Sequence, residues 1–171
     1  SMIVHGVPPS EARKRAVALL DRVAIPEPER RFHEYPHPFS GGQRQRVMIA
    51  AAIAMQPDVL IADEPTSALD VTVQADILKL LKTLQAETGM GILMITHDLG
   101  VVTEVADRVV VMRRGEVVEQ GPLNRVLTAP ERPYTRQLLD AAPCRNGFAP
   151  REARATTETP LEVQGLLKFY V

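Results

Sequence analysis

Two stretches carry residue types that can do chemistry. In the first, Ser40-Gly41-Gly42-Gln43, a hydroxyl stands where a helix should begin and two glycines let the backbone approach a ligand closely. A helix start with free N–H groups and small side chains is a ready anion site. In the second, the apolar run Val59-Leu60-Ile61-Ala62 lies between Pro57 and Pro65 and ends in two adjacent carboxylates, Asp63 and Glu64. The run is too short for a typical helix and reads as a buried strand. Its C-terminal end is where open α/β sheets place their ligands. Taken singly each feature has a plainer reading: Ser40 as an ordinary helix cap, Asp63-Glu64 as a solvated turn.

The elements that must hold these residues alternate. Ser10 can cap a helix whose face is Ala12, Ala16, Leu19, Leu20 and Val23, stopped by Pro26 and Pro28, with charged, loop-like sequence following through Pro38. The helix from Gly42 to about Met55 is apolar on most sides and is expected to be deeply buried. Arg44 and Arg46 in its first turns are expected to be solvated or satisfied by carboxylates. Val73, Ile77, Leu80, Leu81 and Leu84 form the face of a further helix, with Asp70 placed to cap it and Thr88-Gly89 to end it. A strand over 92–95 precedes His97-Asp98 and a short helix through Val105. Arg108–Arg113 and Glu116–Gln120 read as a hairpin turning at Arg114-Gly115. Two short helices fill 122–143. The alternation predicts an α/β fold with a largely parallel sheet and an antiparallel edge.

Taken together, these stretches resemble the ATP-binding-cassette (ABC) ATPases, over about Ser10 to Pro143. Ser40-Gly41-Gly42-Gln43 is similar to their signature motif, Val59 to Glu64 to their Walker B strand and catalytic Glu, Ser67-Ala68-Leu69-Asp70 to their D-loop, and His97 to their switch histidine. The resemblance implies a P-loop NTPase fold with ATP and Mg²⁺ as ligands. It implies that Ser40, Gly41 and Gly42 touch the γ-phosphate held by an opposite cassette, with Gln43 and Asp70 also counted among the nucleotide-binding residues. Asp63 would hold Mg²⁺, Glu64 would activate water, His97 would sense the γ-phosphate, and Asp70 would act across the cassette pair. A lone histidine at a strand end is more often structural, and Asp70 can equally be a helix cap. His5, His33 and His37 match no motif and are expected to be surface or packing residues.

Pro133-Tyr134-Thr135 with Leu138-Leu139 resembles the tail of cassettes that power oligopeptide and dipeptide importers. Single-cassette members of that group continue into a cysteine-rich segment, whereas this chain has Cys144 alone. No Gly-x-x-x-x-Gly-Lys-Ser/Thr occurs, and in the family's order it would precede Ser1. The expected organisation is therefore residues 1–143 as the C-terminal part of one cassette and 144–160 as a linker. Residues 161–171 would open a second cassette, with Tyr170 as a candidate adenine-stacking aromatic. The resemblance implies an ATPase subunit that powers import of peptides or similar solutes. Its partners would be a second cassette, membrane permease subunits and, indirectly, a periplasmic or extracellular solute-binding protein. The permease would dock on the exposed face of the helical part before the signature and hold the subunit at the cytoplasmic face of the plasma membrane. Two alternatives share the motifs: an ABC ATPase of repair or translation, and a non-enzymatic interaction fragment.

Composition is compatible with this. The 171 residues are 45% hydrophobic and 24% charged, enough for one domain with a core. A net charge of -1 gives no electrostatic case for nucleic-acid binding. One cysteine cannot form an internal disulfide. No apolar run approaches the roughly 20 residues that span a bilayer, so the chain itself is expected to be soluble.

Overall fold

The computed structural model describes residues 2–141. The linker and second-cassette expectations for 144–171, with Cys144 and Tyr170, lie outside the described residues. A 3-10 turn, Met2–His5, leads into α1 (Pro9–Arg22), α2 (Pro28–Arg31) and α3 (Gly41–Ile53). Then come β1 (Val59–Asp63), α4 (Val71–Thr88), β2 (Gly91–Ile95) and α5 (Leu99–Val105). The hairpin β3 (Arg108–Arg113) and β4 (Glu116–Pro122) precedes α6 (Leu123–Thr128) and α7 (Pro133–Ala141). The fold is α/β, as the alternation predicts.

Strands β1 and β2 pair in parallel, Val59 opposite Gly91 and Asp63 opposite Ile95. Strands β3 and β4 pair antiparallel, with a bulge between Val111 and Met112. Among the described residues the hairpin is a separate two-stranded sheet rather than an edge of the parallel pair. Its turn has both Arg114 (φ 53) and Gly115 (φ 83) in the left-handed region. That twist matches the right-handed twist of the strands it joins.

One core joins the helices to the parallel pair. Ile77, Leu81 and Leu84 of α4 pack with Ile49 and Ile53 of α3 and Leu60 of β1. Ile77 is wholly buried, and burying such a side chain contributes roughly 1.5–3 kcal/mol. Gly89 ends α4 in the left-handed conformation (φ 72), which glycine adopts without a Cβ penalty.

Four expectations need correction. Ser10 does not cap α1: the helix starts at Pro9, after Pro8, with no side-chain cap. A proline's fixed φ suits the first helical position, so the cap and the start both move two residues earlier. Pro28 opens the one-turn α2 instead of only stopping α1. Helix α3 ends at Ile53 and is covered on one face only, with Met48 64% exposed. Its open face joins α1 along a mostly apolar groove of 690 Å³ that includes Val47, Ala51 and Phe32. Strand β1 is also buried on one side only. Leu60 points into the core, while Val59 and Ile61, facing the other way, are 59% and 64% exposed. The strand's two-residue period sets this, since one helical layer covers one face.

Candidate functional site

Ser40 starts α3 as a helix cap. Its Oγ accepts from the Gln43 amide (3.3 Å) and the Gln43 side-chain oxygen accepts from the Ser40 amide (3.0 Å), a reciprocal capping box. The box uses the third N–H of the helix and leaves those of Gly41 and Gly42, which no intrahelical carbonyl can reach. The two arginines behind it serve the fold. Arg44 donates to the Phe39 carbonyl (3.1 Å), while Arg46 donates to the Val23 carbonyl (3.0 Å) and stands 3.8 Å from Asp76. Carbonyls, more than carboxylates, satisfy them.

At the other stretch, β1 delivers Asp63 on its exposed face, beside Ile95 of β2. The Asp63 carboxylate has no hydrogen bond or ion pair among the described residues. The next residue breaks the strand's geometry: Glu64 has φ 46, in the left-handed region that costs a residue with a Cβ on the order of 1–2 kcal/mol. Its amide still donates to the Ile95 carbonyl (2.9 Å), and its own carbonyl accepts from the Ser67 hydroxyl (2.9 Å). The backbone turn is thus pinned from both sides. It sets the Glu64 carboxylate against the ring of His97, with Oε1 2.7 Å from Nδ1. That bond, and the carboxylate's charge after it, raise the His97 pKa from its ordinary value. His97 projects from the loop after β2, where Asp98 accepts from the Gly100 amide (2.8 Å) to start α5.

Asp70 caps α4, accepting from the Val73 amide (3.0 Å), so its plainer reading holds. Ala68 (φ 62) is left-handed in the same loop. The structure therefore brings Asp63, Glu64 and His97 together. No hydrogen bond or ion pair among the described residues joins them to Ser40–Gln43. His33 and His37 lie against aromatic rings: His33 meets Phe32 edge-on, and His37 stacks on Tyr35. Two further contributors escaped the sequence reading. Ser67 anchors the Glu64 turn, and Val73 lies directly against Gly42. The first joins residues only three apart; no local signal marks the second.

The ABC transporter family profile matches residues 3–67. A protein of Brucella melitensis named for peptide import and ATP binding is 60% identical over 139 residues, covering 81% of this chain and 42% of that protein. Over the matched residues the chain is similar to the ATP-binding cassettes of ABC transporters. The glutathione import ATP-binding protein GsiA of Escherichia coli K12 is 58% identical over 133 residues, 78% of this chain and 21% of that protein. Among solved structures, cbiO1 of Clostridium perfringens, part of the ABC transporter complex cbiONQ, aligns with TM-score 0.63 and 39% identity, covering 73% of this chain and 49% of that one. The ATP-binding cassette MJ0796, a dimer in a post-hydrolysis state with ADP and Pi, aligns with TM-score 0.59 and 37% identity, over 69% of this chain and 50% of that one. The chain thus spans less than half the length of the curated relatives it matches.

Proposed function

We propose that this chain supplies the signature, the Walker B carboxylates, the D-loop and the switch histidine of an ATP-hydrolysing cassette. The observation that carries the reading is the Glu64–His97 contact at the C-terminal ends of two paired parallel strands. A carboxylate held there by a strained, doubly anchored backbone is positioned to orient and deprotonate an attacking water. His97, on the far side of that carboxylate, is 84% exposed and free to turn toward a γ-phosphate. Ser40, Gly41 and Gly42 present one hydroxyl and two backbone donors that suit the phosphoryl oxygens of a nucleotide held by an opposite cassette. Gln43 fixes the Ser40 backbone, and Asp70 fixes the start of α4.

Mg²⁺ fits the residues present. Asp63 is an exposed carboxylate with no hydrogen-bond or ion-pair partner among the described residues, the kind of single acidic ligand, direct or through water, that Mg²⁺ takes beside phosphate oxygens. When bound, the ion would neutralise charge on the phosphates. Asp63 would hold it and Glu64 would keep its own carboxylate for water.

The relatives named for peptide and glutathione import, together with the Pro133-Tyr134-Thr135 tail, support an import system for peptides or similar small solutes. We assign residues 1–143 to the C-terminal part of one cassette, 144–160 to a linker and 161–171 to the opening of a second. The partners are a second cassette, permease subunits docked on the helical part and, through them, a solute-binding protein. No helix among the described residues is long and apolar enough to cross a membrane. In this reading the permease holds the subunit at the cytoplasmic face. The deciding experiment is Glu64→Gln in the full protein that carries this chain. Hydrolysis should fall about 10²-fold or more with ATP binding retained. Near-normal turnover removes Glu64 from the role of base.

A further inference from the structure

The first turns of α3 and α4 approach more closely than side chains allow. A Cβ placed on Gly42 would stand 2.5 Å from Val73 Cγ1, inside any real packing distance. The neighbouring glycine differs: a Cβ on Gly41 would meet Leu69 Cδ2 at 3.4 Å, an ordinary contact. Val73 has little room to yield. Its amide is tied to Asp70 Oδ1 (3.0 Å), its side chain packs against the main core, and branching at Cβ restricts its χ1.

We propose that Val73 is a positioning residue for the Ser40–Gln43 turn. Its side chain is the seat on which the turn rests, and Gly42 is required because of that seat, beyond any need for a ligand to come close. Leu69, one residue before Asp70, completes the seat under Gly41. The donors of the turn are thereby referenced to the start of α4, and the signature and D-loop stretches are set as one unit. This rests on the reading that the turn contacts phosphate. Donors aimed at a phosphoryl group lose their effect with shifts of about 1 Å, which is the displacement a new methyl at position 42 would force.

The test uses a reversal of sign. In a helix Ala is favoured over Gly, so without the contact Gly42→Ala should stabilise. In the full protein that carries this chain, Gly42→Ala should lower the thermal midpoint by about 3 °C or more. It should lower kcat about tenfold to a hundredfold, with KM for ATP within about twofold. In a Val73→Ala background the same substitution should leave the midpoint level or raise it, and kcat should return to within about threefold of the Val73→Ala protein. Recovery of the midpoint without recovery of kcat would overturn the positioning role and leave Gly42 serving the ligand alone. A midpoint untouched by Gly42→Ala in the native background would overturn the seat itself. Absence of ATP turnover in the unsubstituted protein would count against the ATPase reading, and the midpoint cycle would then decide the seat.

Discussion

His97 Nδ1 lies 2.7 Å from Glu64 Oε1, across the ends of two strands that are themselves hydrogen-bonded in register. The bond ties together the two groups that the proposed reaction uses separately. In that proposal Glu64 accepts a proton from water and His97 meets a phosphate. Replacing His97 by Ala should therefore lower turnover in the full protein while leaving ATP affinity nearly intact. Combined with Glu64→Gln it should cost little more than Glu64→Gln alone, because groups that act as a unit are non-additive. Single-turnover kinetics on the three variants measures this. Full additivity would separate the two residues.

The same bond makes the His97 ring a reporter. Its pKa is raised, first by the hydrogen bond that its ring donates to the Glu64 carboxylate and then by the carboxylate's charge. A group whose folded pKa is raised stabilises the fold fully below the unfolded value, about 6.5 for imidazole, and loses that contribution as pH rises through the raised value. In an NMR titration the His97 midpoint should fall back toward the ordinary range in Glu64→Gln. An unchanged midpoint would mean that another group holds the ring.

Gly41→Asp separates chemistry from packing. Position 41 has room for a side chain, and an acidic residue in the first helical turn favours the helix. The thermal midpoint should be unchanged or slightly higher. Turnover should fall by about 10²-fold or more, because a carboxylate would stand where a phosphate is expected. Retained turnover would take the turn out of phosphate contact.

Glu119 predicts how the tail is held. Its buried carboxylate accepts from the amides of Glu131 (2.9 Å) and Arg132 (3.1 Å), just ahead of α7. The buried Thr135 hydroxyl beside it, foremost, and these amides lower the Glu119 pKa, although Thr135 Oγ1 makes no bond of ordinary geometry. A lowered folded pKa stabilises above the ordinary carboxylate value, and the contribution is lost as pH falls through the lowered one. Hydrogen exchange at Glu131 and Arg132 should accelerate in that acid window, and at neutral pH in Glu119→Ala. Unaltered protection in the variant would free the tail from this anchor.

The open face of the parallel pair predicts association. Val59, Ile61, Leu93 and Ile95 are each about half exposed or more, on strands whose outer edges are unpaired among the described residues. The 171-residue chain should self-associate at micromolar concentration, and Ile61→Lys should reduce this with little loss of stability. Light scattering on the two chains decides it. Equal association in both would place the contact elsewhere.

What the sequence determined by itself was local. The Ser40–Gln43 box spans four residues, Gly89 stops a helix at its own position, and Arg114-Gly115 sets a hairpin turn in two residues. Torsional preference and hydrophobic period are properties of neighbouring residues, so they can be read without the fold. The motifs are short for the same reason, and their order along the chain was enough to point to the family. The tertiary structure alone decided which faces meet. The period of β1 shows that it has two faces but not that helices cover only the one bearing Leu60. The period of α3 likewise shows an apolar helix but not its open side. Val73 reads as one more core valine until α3 crosses it at Gly42, and Glu119 as a surface charge on an alternating strand until the amides of Glu131 and Arg132, just ahead of α7, turn onto it. Glu64 and His97 are 33 residues apart, and only the pairing of β1 with β2 closes that distance to a hydrogen bond. Contacts between distant segments depend on the packing of whole elements, and no local preference encodes them.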